Sequence, residues 1–200
     1  MSHDTLIHRI VRPAVRRIAP TGVTPNQLTT VRLVTGLAAA AAFAAGGGWA
    51  DLGGVVFLLS MLFDRADGEL ARQTGQMSPW GHRYDLVTDC LCDAVTFIGI
   101  GVGLAGSGLG IAPVLLGAAA GLGIGVLFWQ LNVTKVIELS RYAMRHRGVV
   151  VDPDDALALV PVFLWLGLAW PMLIAAAVIT PAGALWLGVL SRRPKPAVQK

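Results

Sequence analysis

The sequence predicts an all-α integral membrane protein: six transmembrane helices behind an N-terminal amphipathic helix lying in the membrane interface. Three observations predict it. Of the 200 residues, 54% are hydrophobic and only 14% charged, where a soluble domain carries about 25% charged residues. Six apolar runs recur along the chain. The 16 Lys and Arg fall into four blocks, within 9–32, 65–83, 135–147 and 192–200, with two apolar runs between each block and the next. The turns at 46–54, 105–112 and 170–171 carry no Lys or Arg. The positive-inside rule then puts both termini and all four blocks on the cytoplasmic side.

Taken in order, residues 1–22 form a juxtamembrane segment. Leu6, Ile7, Ile10, Val11, Val15 and Ile18 recur at helical spacing, with Arg9, Arg12, Arg16 and Arg17 between them. Such a helix lies flat, its arginines toward anionic membrane lipids. No secretory signal is expected, because the first 28 residues lack an apolar core and a small-residue cleavage site. Thr24 and Pro25 suit a helix cap and first turn. The spans follow at about 28–45, 52–64, 81–104, 111–133, 156–170 and 172–190, making 23–191 one membrane domain. Helix from the fourth span is expected to run on through Arg141, and Pro171 and Pro181 to kink or break the last two. Residues 192–200 form a basic cytoplasmic tail. The net charge of +4 first suggests nucleic acid. Its confinement to the ends of spans argues for a membrane surface instead, so no nucleic-acid partner is expected. Cys90 and Cys92 are two apart on a helix and point to different sides, which suits neither a disulfide nor a metal site.

The chemistry lies in 64–89, DRADGELARQTGQMSPWGHRYDLVTD. Asp64 and Asp67 are three apart, and Asp85 and Asp89 four apart, so each pair shares a helix face. Pro79 and Gly81 lie in the turn between the pairs. A carboxylate costs roughly 2.5–3.5 kcal/mol at the centre of a membrane helix, and four together repel one another. Hard divalent cations resolve both problems through oxygen ligands and phosphate. The residues therefore read as a one- or two-metal phosphate site near a membrane face.

The pattern D-x2-D-G-x2-A-R-x8-G-x3-D-x3-D is met without a gap by Asp64, Asp67, Gly68, Ala71, Arg72, Gly81, Asp85 and Asp89. It resembles the CDP-alcohol phosphotransferases, membrane enzymes of phospholipid synthesis. The resemblance implies a CDP-linked lipid donor, CDP-diacylglycerol in the first instance. An acceptor alcohol attacks its phosphorus and CMP leaves. It implies two Mg²⁺ or Mn²⁺ ions on Asp64, Asp67, Asp85 and Asp89, with Asp89 also taking the acceptor's proton. Asn26 and Thr29, in Pro-Asn-x-x-Thr before the first span, match the family's nucleotide-holding position. Asp67, Gly68, Ala71, Arg72 and Ser78 complete the CDP site implied. Gly68 and Ala71 contribute by being small, and Arg72 by forking onto a phosphate. A homodimer in the cell's inner membrane is implied by analogy.

The acceptor is less defined. Relatives using a phosphorylated acceptor place basic residues on spans four and five. Lys135, Arg141 and Arg145 are candidates on the fourth, but the fifth opens with Asp154 and Asp155 and carries no arginine. A polyol, a polyol phosphate and an amino alcohol all stay open. Asp93, one turn beyond Asp89, either lines the acceptor pocket or stands behind the metals. Glu69 is a further acid nearby, and His82 reads as a polar loop residue. Two other classes compete: an ion-coupled transporter with buried aspartates, and a non-catalytic scaffold.

Overall fold

The computed structural model describes residues 6–133, 144–146, 149–151 and 153–191. Seven α-helices account for most of them. The first is α1, Leu6–Ile18. Next come α2, Pro25–Ala45, and α3, Gly48–Thr74. Then follow α4, Pro79–Leu104, and α5, Ala112–Phe128. The last two are α6, Leu159–Trp165, and α7, Ala169–Ser191.

Local chemistry sets the helix ends that matter. Thr24 caps α2 reciprocally: its Oγ1 accepts from the Gln27 N–H, and Gln27 Oε1 accepts from the Thr24 N–H. That is a capping box with Pro25 at the first helical position. α3 ends where Gly75 turns left-handed at φ 68°. Ser78 then caps α4, its Oγ accepting from the Gly81 N–H at 2.9 Å, with Pro79 next.

α2 is the central helix. α3 packs along one side of it and α4 along the other, and α3 and α4 touch each other little. α5 lies beyond α4, α7 beyond α5, and α6 against α3. The crossings are close because glycines line them. A Cβ on Gly99 or Gly103 would run into the Ala40 or Phe43 carbonyl oxygen of α2, and one on Gly101 into the Pro113 oxygen of α5. Gly117 and Gly121 meet Phe97 and Ala94 the same way. Small residues replace side-chain interdigitation here, as membrane helices often require. The apolar core beneath is Phe43, Phe57, Met61, Phe97, Ile100 and Leu173.

Among the described residues, four stretches are long and apolar enough to cross a membrane: Pro25–Ala45, Pro79–Leu109, Ala112–Val133 and Ala169–Ser191. The remaining two expected spans differ from expectation. α3 is 27 residues long, ten beyond Asp64, so acids expected at a helix end lie within one continuous helix. The fifth run forms only a 3₁₀ segment, Pro153–Ala158, and the seven-residue α6. Gly167, at φ 72°, ends that helix before Pro171 is reached. Pro171 sits in the first turn of α7, and Pro181 inside α7 does not break it. An unforeseen β-hairpin, Met144–His146 with Val149–Val151, occupies part of the inner loop. Lys135, Arg141 and the tail lie outside the described residues, and Arg145 falls on the first hairpin strand.

α1 docks against α3. Val15 is buried with Leu28 and Leu70, and Phe63 and Ala66 pack on them. Arg9, Arg16 and Arg17 face outward.

Candidate active site

The loop between α3 and α4 is four residues long, 75–78, so both helices present their acids at the same end of the bundle. Asp64 comes from α3, Asp85 and Asp89 from α4, and one carboxylate oxygen from each lies within 4.8 Å of the others. Oxygens bound to one Mg²⁺ at 2.0–2.1 Å lie within about 4.2 Å of one another. The donor set thus fits a hard divalent cation after a small closure. Asp67 stands beside this trio, 3% exposed, its Oδ2 accepting from Thr29 Oγ1 at 2.6 Å. Thr29 is equally buried and also donates to the Pro25 oxygen. One α2 hydroxyl therefore fixes an α3 carboxylate.

Arg32 of α2 occupies the centre, 4% exposed. Its Nε lies 3.0 Å from Asp89 Oδ1 and 3.4 Å from Asp64 Oδ1. Nη2 reaches Asp93 Oδ1 at 3.4 Å, and Nη1 donates to Ser60 Oγ at 3.1 Å. Ser60 in turn donates to the Arg32 carbonyl. Arg65 bridges outward from the trio, with Nη1 3.6 Å from Asp64 and Nη2 3.1 Å from Asp155. Arg32, Arg65, Asp64, Asp89 and Asp93 line one cavity, which Met61, Phe128 and Leu157 close on its apolar side.

The remaining motif residues lie around this centre. Gly68 has open space over it: among the described residues the near atom is Arg72 Nη1, 3.4 Å from where a Cβ would stand. Arg72 Nη2 donates to Glu69 Oε2 at 2.9 Å, and Arg12 of α1 reaches Glu69 Oε1 at 3.1 Å. Glu69 lies beyond the apolar part of α3. Burial pushes its carboxyl up, but hydrogen bonds from Gln73 and Arg72 and the charges of Arg72 and Arg12 outweigh that and hold it at about 2. Asn26 Oδ1 and Ser78 Oγ both stand 3.0 Å from where a Gly81 Cβ would be. Gly81 therefore lets the start of α2 meet the start of α4. Ala71 is half-buried on α3.

A model of the CDP-alcohol phosphatidyltransferases matches residues 22–187, which takes in every helix from α2 to most of α7. The chain belongs to the CDP-alcohol phosphatidyltransferase family. It is 34% identical over 101 residues to archaetidylinositol phosphate synthase of Pyrococcus horikoshii, an alignment covering 46% of this chain and 53% of that protein. It is 31% identical over 168 residues to the bifunctional IPC transferase and DIPP synthase of Rubrobacter xylanophilus, covering 82% of this chain and 36% of that one. The chain thus spans about half of the first relative and about a third of the second. Its fold matches Mycobacterium tuberculosis phosphatidylinositol phosphate synthase with CDP-DAG bound. The TM-score is 0.67 at 22% identity, covering 96% of this chain and 98% of that one. The same synthase in complex with manganese and citrate gives a TM-score of 0.64 at 20% identity, over 92% of each chain.

Within this member of the CDP-alcohol phosphatidyltransferase family the structure assembles three of the four motif acids directly and holds the fourth, Asp67, beside them against Thr29. Arg32 was missed as a site residue: it counts among the basic blocks, yet it lies seven residues into an apolar helix. An ionisable group inside a span is a functional signal in its own right, but so near the span's basic end it competes with charge bias. Arg65 and Asp155 carry no comparable signal, being 90 residues apart. Cys90 and Cys92 do turn to different neighbours, α5 and α2.

Proposed function

We propose that the chain moves a substituted phosphate, phosphatidyl in the first instance, from a CDP-linked lipid to an acceptor alcohol and releases CMP. The observation that carries this is the convergence of Asp64, Asp85 and Asp89 to within 4.8 Å at the family's motif spacing. Asp64, Asp67, Asp85 and Asp89 would hold divalent cations, Mg²⁺ or Mn²⁺. When bound, such ions neutralise the diphosphate and the charge developing on CMP. Arg72 forks onto a phosphate over the open surface of Gly68 and Ala71. Asn26, Thr29 and Ser78 frame the nucleotide from the starts of α2 and α4. The Ser78 cap uses an oxygen lone pair and leaves the hydroxyl proton to donate.

The Asp89 carboxylate takes the proton of the acceptor hydroxyl. Arg32 holds that carboxylate through Oδ1. The acceptor oxygen–phosphorus bond forms as the phosphorus–oxygen bond to CMP breaks. The cavity beside Asp89, lined by Arg32, Arg65 and Asp93, is where the acceptor enters. Both arginines are already matched by acids there, which favours a polyol or amino alcohol over a dianionic acceptor unless Lys135, Arg141 or Arg145 adds charge.

The membrane arrangement follows the same reading: six crossings, with α3 and the α6 segment completing the four apolar stretches, and α1 lying at the interface. Both termini and the acids face the cytoplasm at the cell's inner membrane, and the enzyme works as a homodimer. The acids gather at one end of the bundle, which weighs against a transporter, whose sites lie near the midplane.

The test is purified protein with CDP-diacylglycerol, Mg²⁺ or Mn²⁺ and a panel of acceptors, with CMP and the lipid product identified by mass spectrometry. Metal-dependent CMP release is expected, and Asp89→Asn should slow it by about 10²–10⁴-fold. No CMP release with either metal and any acceptor would sink the proposal, and full turnover by the Asp89→Asn enzyme would remove the base.

A further inference from the structure

Arg32 sits where a lone arginine is hardest to explain as a topology signal. It is 4% exposed on the central helix, and it has no access to headgroups. Its guanidinium uses three nitrogens on four side chains of two helices, α3 and α4. Nε faces Asp89 of α4 and Asp64 of α3, Nη2 faces Asp93 of α4, and Nη1 faces Ser60 of α3. α3 and α4 share few contacts, and this side chain ties the two halves of the acid cluster to one another through α2. The room it occupies is also specified. A Cβ on Gly36, one turn along α2, would meet Cys92 Sγ first and come within 3.1 Å of Arg32 Nη1.

We propose that Arg32 is a positioning residue with two separable effects: its charge holds down the cluster's appetite for cations, and its fork fixes the Asp89 carboxylate. The proposal rests on the reading that these acids hold divalent cations. Three or four carboxylates with no internal cation would repel one another and bind a divalent ion tightly. A fixed positive charge within 3.0–3.4 Å of Asp89, Asp64 and Asp93 offsets part of that field. The same contact pins Asp89 Oδ1, so that one orientation of the carboxylate persists. Lysine can supply the charge but not the fork, because its ammonium is a point charge without planar geometry.

The experiment uses the full chain in detergent, with Mn²⁺ alone as the first probe. Free Mn²⁺ is counted by paramagnetic resonance, and CMP release from CDP-diacylglycerol is measured in parallel. Arg32→Met should bind Mn²⁺ about tenfold more tightly than wild type, since a neighbouring positive charge is gone. Its turnover should fall about a hundredfold, in the range seen when groups orienting a metal ligand are removed. Arg32→Lys should bind Mn²⁺ within about threefold of wild type, the charge being kept, yet turn over as poorly as Arg32→Met. A role confined to structure would weaken binding and turnover together in both variants. Unchanged or weaker Mn²⁺ binding by Arg32→Met, or full turnover by Arg32→Lys, overturns the proposal. If Arg32→Met does not fold, the split between affinity and turnover in Arg32→Lys decides alone. A wild type that binds no Mn²⁺ overturns the metal reading itself, and this inference with it.

Discussion

Thr29 and Asp67 show how much one hydroxyl can settle. Asp67 is 3% exposed, and Thr29 Oγ1 is 2.6 Å from its Oδ2. A buried carboxylate is costly unless something donates to it. The hydroxyl also orients the carboxylate. Thr29→Val keeps the shape and removes the donor. Loss of a group that orients a metal ligand typically costs about 10–100-fold in metal affinity or activity, and that loss is expected here. Mn²⁺ titration of the Thr29→Val protein checks it, and wild-type affinity would show that Asp67 is not a ligand. At this scale the acids were legible in the sequence because spacing alone puts Asp64 with Asp67 and Asp85 with Asp89. Arg32 was not, because a basic residue near a span's cytoplasmic end has a second, sufficient explanation in charge bias. Ser78 carries a second task that its spacing does not announce: its oxygen accepts from the Gly81 N–H and caps α4, while its hydroxyl proton stays available to a ligand.

The helices come together on backbone, and that makes their packing unusually intolerant of added atoms. A Cβ on Gly103 would run into the Phe43 carbonyl oxygen, which belongs to a helical backbone and cannot swing aside. Gly106, three residues on, has nothing within 4 Å of that position among the described residues and lies in the last turn of the same stretch. Gly103→Ala should therefore destabilise the protein by about 1–3 kcal/mol, the usual cost of overpacking. Gly106→Ala should leave it unchanged. Thermal unfolding of both in the same detergent makes the comparison, and equal midpoints would mean that α2 and α4 do not cross this closely. Hydropathy showed that these elements exist, but not which pair. Two acid-bearing helices joined by a four-residue loop invite direct pairing of α3 with α4. The glycines at 99 and 103 instead admit α2 between them. That choice depends on side-chain volume at particular crossings, which a hydropathy pattern does not encode. The short α6 was illegible for a related reason. Its run is apolar enough, but Gly167 in the left-handed region stops the helix before its length is reached.

For the whole molecule, the remaining question is which way the bundle faces. Two of the 16 basic residues, Arg32 and Arg65, are buried within the site and contact acids, so they cannot act as headgroup anchors. The bias survives their removal. Arg9, Arg16, Arg17 and Arg83 are exposed at the end that carries the acids, while the opposite turn, with Gly46, Gly47 and Trp49, has none. Positive charge retained at one end should hold that end in the cytoplasm. The outward turn is then a place where a water-soluble reagent can reach the chain from outside the cell. Trp49 is 62% exposed there, and Met77 is 71% exposed in the loop at the other end. With Cys90 and Cys92 first replaced by alanine, Trp49→Cys should be labelled by a membrane-impermeant maleimide on intact cells. Met77→Cys should be labelled only after permeabilisation. The reverse pattern would put the acid cluster outside, away from cytoplasmic CDP-linked lipid and CMP. The proposed chemistry would then lack both a supply of donor and a route for its product.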